Sequence, residues 1–180
     1  IKIYDLSTTS NENGTYDLQG PIFEAEYNEN YLGQNSISDV DISDDGLTLA
    51  IAFNNKPAGG YGSGFIKTYK WDGVFKGSQD NFIEDQAVIN FCSEDSSIEV
   101  YGFWKIYLNS DGSSILIDLG SSGGVNAFCI KELKDGEWDQ KGQIINGSEL
   151  NNQTDAPGID VYGFSSDGER VLLIYNTSTS

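Results

Sequence analysis

The chain has 180 residues with 28 acidic against 10 basic, a formal net charge of −18, and is 38% hydrophobic and 12% aromatic. That is enough apolar material for one core, which excludes a disordered acidic tail. The acidity repels phosphate backbones and anionic lipid heads and so excludes nucleic acid and membrane surfaces as partners. No stretch approaches the ~18 apolar residues of a membrane-spanning helix, which excludes membrane insertion by that route.

Taken in chain order, the pattern is one of short strands separated by Asp-Gly turns. The chain opens on Ile1-Lys2-Ile3-Tyr4-Asp5, inside a strand pattern and without Met, as a window on a longer polypeptide would. Residues 38–43 alternate, with Val40 and Ile42 on one side and Asp39, Asp41 and Ser43 on the other. The turn Ser43-Asp44-Asp45-Gly46 follows, and Leu47, Leu49, Ile51 and Phe53 alternate after it, which predicts a β-hairpin. A Gly-rich connection, Gly59-Gly60-Tyr61-Gly62-Ser63-Gly64, leads to a second hairpin. Its strand runs from Phe65 to Trp71, turns at Asp72-Gly73 and is expected to return through Val74 and Phe75. The layout returns with Phe103 to Leu108, Ile115 to Leu119, Phe128 to Leu133 and a strand near Trp138. No segment has a sustained helical period.

These elements repeat. Ile1-Lys2-Ile3-Tyr4 recurs as Ile66-Lys67-Thr68-Tyr69 and as Ile130-Lys131-Glu132-Leu133, in steps of 66 − 1 = 65 and 130 − 66 = 64 residues. The Ser-(Asp)-Asp-Gly turn recurs at Ser110-Asp111-Gly112 and Ser166-Asp167-Gly168, each before an apolar run, with the third unit shortened in a loop. A fixed period with a turn in a fixed place is the signature of a repeat architecture. The units are 1–65, which starts in mid-blade, 66–129, and 130–180, which is incomplete. The fold class expected is all-β, built of antiparallel four-stranded blades of about 65 residues that form part of a β-propeller.

The run of an apolar pair, Ser-x-Asp-Gly, an apolar strand, a Gly-rich loop and Tyr69-Lys70-Trp71-Asp72-Gly73 resembles the FG-GAP-like propeller repeats of large extracellular proteins, over nearly the whole chain. The chain departs from that pattern at Ile51-Ala52-Phe53-Asn54, where a Phe-Gly and Gly-Ala-Pro pair is expected, and in the aromatic cluster Tyr101, Phe103, Trp104 and Tyr107. The resemblance implies a secreted or cell-surface protein whose blades serve in adhesion, coats or filaments. Propellers close with about four to eight blades, and this chain offers fewer than three. The ring is therefore expected to be completed by flanking blades of the same polypeptide, or else by other copies of the chain pairing edge to edge.

Four triplets read Asn-x-Ser/Thr, at Asn13, Asn146, Asn152 and Asn176, all in segments predicted as loops, where N-linked glycans would project into water. The two cysteines, Cys92 and Cys129, are a candidate disulfide in a secreted chain, or two small buried apolar residues. Asp39, Asp41, Ser43 and Asp45 place oxygens at alternate positions before Gly46, the opening of a calcium loop. The position three past that glycine is Leu49, and the other units have Tyr107 and Gly163 in place of Asp41, which favours a structural Asp-Gly hairpin. No cofactor is expected, and calcium is the one ion the pattern admits. The chain has no His, the usual general base, and no carboxylate pair is singled out by its spacing, so no catalytic residue is assigned. Trp71 and Trp138 follow the repeat and are expected to pack between blades, whereas Trp104 has no counterpart and is the candidate ligand aromatic. The function expected is structural or adhesive, with a carbohydrate-binding lectin-like propeller as the alternative and a carboxylate glycosidase third.

Overall fold

Alternating strands joined by tight turns give an all-β chain. In a computed structural model, described here for residues 3–4, 18–19, 35–55, 63–71, 82–89, 100–121, 127–146 and 159–175, twelve strands are present and no helix is found among these residues. They are β1 (Ile3–Tyr4), β2 (Leu18–Gln19), β3 (Asn35–Ile42), β4 (Thr48–Asn55), β5 (Ser63–Trp71) and β6 (Phe82–Ile89). The chain continues with β7 (Val100–Leu108), β8 (Ser114–Ser121), β9 (Ala127–Lys134), β10 (Glu137–Asn146), β11 (Ile159–Phe164) and β12 (Val171–Tyr175). Each strand pairs antiparallel with its chain neighbour. β3 to β6 form a first four-stranded meander, β7 to β10 a second, and β11–β12 and β1–β2 two-stranded sheets.

The two four-stranded sheets are apolar on both faces because they stack. The face of the first sheet that carries Ala50, Ala52 and Ile66 packs on Ile106, Ile115, Ile117, Leu119, Ala127 and Cys129 of the second. The opposite face of the second sheet, with Leu116 and Phe128, packs on Phe164, Val171 and Leu173 of the third. The other face of the first sheet holds Leu49, Ile51, Phe53, Tyr69 and Trp71, all buried. Fully burying one Ile or Leu contributes roughly 1.5–3 kcal/mol, so Ile115, Ile117 and Leu119 (each at most 1% exposed) anchor the second sheet.

The three hairpin turns are copies of one another. The first residue of each, Ser43, Asn109 or Ser165, donates its N–H to the carbonyl of Thr48, Ser114 or Arg170, at 2.9 to 3.0 Å. Oδ1 of Asp45, Asp111 or Asp167 accepts the N–H two residues on, at 2.9 to 3.0 Å, an Asx turn in each case. The glycines Gly46, Gly112 and Gly168 all have φ near +70°. Asn109 is the true counterpart of Ser43 and Ser165, since its Oδ1 accepts the Ser114 N–H as Ser43 Oγ accepts that of Thr48. The sequence repeat had pointed to Ser110 instead.

Two expectations are corrected. The partner of β5 on its far edge is β6, with Trp71 opposite Phe82, and not a return through Val74 and Phe75, which lie outside the described residues with Asp72 and Gly73. The expected strand near Trp138 is β10, which follows a turn at Asp135-Gly136 (φ 51° and 89°) and sets Trp138 opposite Leu133. The third strands are also aligned differently from the repeat in sequence. Trp71 and Leu133 each donate an N–H to the turn residue beside them, Leu47 and Ser113, so Ile66 corresponds to Phe128 rather than Ile130. Both lie on the same side of their sheets, and a slip of two residues preserves the face.

The glycines separate two costs. An alanine Cβ at Gly112 would lie 2.3 Å from the Thr48 side chain, whereas at Gly46 it would meet nothing within 4 Å. Gly46→Ala should therefore cost only the left-handed backbone term, about 1–2 kcal/mol, and Gly112→Ala clearly more. Urea denaturation of the two variants checks the order, and equal losses would show that the turns do not nest.

Candidate functional site

The most specific chemistry among the described residues lies where the first sheet meets the second. β7 is an edge strand, paired to β8 along one side, so alternate backbone N–H groups on its other side need acceptors. Asp39 and Asp41 supply them from β3. The Ile106 N–H donates to Asp39 Oδ2 at 2.8 Å and the Leu108 N–H to Asp41 Oδ2 at 2.7 Å. Both are short bonds to carboxylates, the stronger class of hydrogen bond. The period of two in β3 aims both carboxylates to one side and turns Val40 and Ile42 to the other, where they are exposed.

The turns extend this contact as a ladder. The Asp45 N–H donates to the Ser110 carbonyl at 3.1 Å, and the Ser110 N–H and hydroxyl donate to the Ser166 carbonyl at 3.0 and 2.9 Å. Gly112 lies against Thr48, and Gly168 against Ser114. Between the second and third sheets Lys105 and Tyr107 occupy the places of Asp39 and Asp41, so the carboxylate clamp belongs to the first interface. Burial raises the Tyr107 phenol above its ordinary value, against the pull of Lys105.

Electrostatics differ between the two kinds of aspartate. Burial raises the Asp41 carboxyl above its ordinary value, the N–H groups of Leu108 and Ile42 offset that in part, and Asp39 and Asp44 add to the rise. Asp111 is lowered, first by the Ser113 hydroxyl and then by its N–H. Asp167 is lowered in the same way by Ser165 and Glu169.

The oxygens considered for calcium are thus divided between two tasks. Asp39 and Asp41 hold β7, while the Ser43 hydroxyl donates to Asp45 Oδ1 at 2.6 Å inside the turn. Among the described residues no three His, Cys, Asp or Glu side chains converge as a cation site. Cys129 is fully buried and disulfide-bonded, and Cys92 lies outside the described residues. Asn146 is the last residue of β10, opposite Ala127, and so is not in a loop, while Asn13, Asn152 and Asn176 lie outside the described residues. Trp71 packs in the apolar cluster on the first sheet, and Trp138 packs against the cluster between the first and second. They are not at equivalent positions, since Trp71 ends β5 and Trp138 lies at the start of β10. Trp104 lies in β7. The clamp role of Asp39 and Asp41 was not foreseen, and its signal in the sequence was two acidic residues on one side of a strand beside an apolar turn. Comparison with protein-family models, with curated proteins and with solved structures gives no match to this chain.

Replacing either clamp residue tests the site. Asp39→Ala and Asp41→Ala each leave a backbone N–H of β7 without its acceptor and should cost about 1–3 kcal/mol in denaturation. The pH dependence has opposite signs for the two aspartate types. Asp41, whose folded pKa is raised, favours folding less as pH rises from about its unfolded value of 3.8 through the folded one. The stability of the protein relative to Asp41→Asn should therefore improve on acidification. Asp111, whose folded pKa is lowered from 3.8, contributes stability above that value that is lost as pH falls through the folded one. The advantage over Asp111→Asn should shrink. Parallel slopes would refute the assignment.

Proposed function

We propose that this chain is part of an extracellular structural or adhesive glycoprotein, in which the stacked sheets are consecutive blades of a β-propeller and present loops and end faces to other proteins. The observation that supports this most is the interface itself. Two four-stranded meanders follow one another, the same turn closes the first hairpin of each, and apolar side chains fill both faces, as radial stacking of blades requires. The resemblance to FG-GAP-like repeats points the same way. An acidic, soluble surface with Asn-x-Ser/Thr triplets suits a coat or filament component outside the cell. Partners on this reading are flanking blades or other copies of the chain, together with N-linked glycans.

The lectin alternative now rests on Trp104, because Trp71 and Trp138 are committed to apolar clusters. Two measurements separate the readings. Protein from a eukaryotic secretory host, treated with an N-glycan amidase, should lose mass and gain one charge at one or more of Asn13, Asn146, Asn152 and Asn176. An unchanged mass counts against the glycoprotein reading. Binding to a panel of immobilised glycans that is abolished by Trp104→Ala would favour the lectin instead.

A further inference from the structure

The two ends of the stack carry the two halves of one interface. Large apolar side chains left exposed among the described residues are Val40, Ile42, Leu47, Leu172 and Ile174. The first three belong to the leading side of the first sheet. In the second sheet the places of Val40 and Ile42 are taken by Ile106, 2% exposed, and Leu108, which packs against the core between sheets. Leu172 and Ile174 lie on the trailing side of β12, 59% and 38% exposed. Ala50 and Ala52 hold those places in the first sheet and Leu116 and Asp118 in the second, all at most 4% exposed. Gly46 has nothing within 4 Å, whereas Gly112 and Gly168 each nest against the preceding turn. Neither end is an ordinary polar surface. On the leading side Leu49, Ile51 and Phe53 are buried while Val40, Ile42 and Leu47 are exposed, and on the trailing side Leu172 and Ile174 are exposed where their counterparts are buried.

The strand edges match in the same sense. β4 and β8 are hydrogen-bonded on both edges, but their counterpart β12 pairs only with β11 among the described residues. β1–β2 has the pairing of a third and fourth strand, with Tyr4 opposite Leu18 as Tyr69 is opposite Glu84. By the register of Leu49 with Tyr69, Val171 of β12 falls opposite a strand-three residue equivalent to Tyr4, and Leu172 opposite Ile3.

We propose that β12 pairs with β1 of a second copy of this chain, so that β11–β12 of one copy and β1–β2 of the next form a four-stranded sheet, and Leu172 and Ile174 cover Val40, Ile42 and Leu47 of that next copy. The contact is head to tail, and its continuity with the internal sheet contacts is what identifies a second copy as the occupant. Repeated, it closes a ring or runs on as a filament. Counted over the described strands alone, two copies would supply about six four-stranded sheets, within the four to eight that close a propeller. This rests on the blade reading above and names its partner.

The test uses the whole chain. Sedimentation equilibrium should give a mass of two copies or more, with Leu172→Glu and Ile42→Glu each reverting to one copy while the circular dichroism spectrum stays unchanged. Both side chains are exposed in the single chain, so their replacement leaves its fold intact. A mixture of Tyr4→Cys and Val171→Cys chains should form an intermolecular disulfide that neither variant forms alone. A monomer at all concentrations overturns the pairing, as does a Tyr4→Cys/Val171→Cys double variant that closes only within one chain. The two readings fail separately. A glycosylated monomer removes the second copy and leaves the structural glycoprotein, whereas a paired chain without glycans does the reverse.

Discussion

The two four-stranded sheets of this protein have apolar side chains on both faces, and that constraint governs the rest. A sheet of this kind has no side to offer water, so it is stable only between neighbours. Ala50 and Ala52 on one side of β4 and Leu49, Ile51 and Phe53 on the other are all buried, and β8 repeats the pattern with Leu116 against Ile115, Ile117 and Leu119. The small alanines of the first sheet admit the bulkier branched residues of the second, as interdigitated packing demands.

Stacking apolar faces fixes the distance between sheets but slides easily along them, because the hydrophobic effect has no direction. Direction comes from the polar contacts at one end. Asp39 and Asp41 lock β3 to the edge of β7, and the turn ladder from Asp45 through Ser110 to Ser166 sets the order of the three hairpins. Glycine at the nested position lets the turns approach, with Thr48 and Ser114 as the seats. Lys141 adds a contact to Glu169 at 2.6 Å between the second and third sheets, on the exposed surface where such pairs contribute little.

The acidity has an internal as well as an external part. A formal charge of −18 adds to self-repulsion and solubility. Asp39 and Asp41 instead take the part of a neighbouring strand, accepting the N–H groups that an edge would otherwise leave unsatisfied. β7 carries a lysine and a tyrosine at the same places, so the interfaces are related in packing and differ in polar residue type.

The strands flanking the turns at Gly46 and Gly112, the third strands, and the turns at Gly46, Gly112 and Gly168 were legible in the sequence, because alternation and turn chemistry are local properties, whereas β6 and β11 were not. The role of Asn109, the slip that equates Ile66 with Phe128, and the true partner of β5 were not, because each depends on which strand lies alongside. The same holds for the candidate site. The sequence showed Asp39 and Asp41 on one side of a strand and suggested an ion, and the tertiary structure gave their Oδ2 atoms to the backbone of β7, 67 residues away. The sequence by itself determined an all-β chain of repeated hairpins. Only the tertiary structure decided which faces meet and what the acidic side of β3 holds, since hydrogen-bond partners across an interface are chosen by proximity in space and leave no period in the chain.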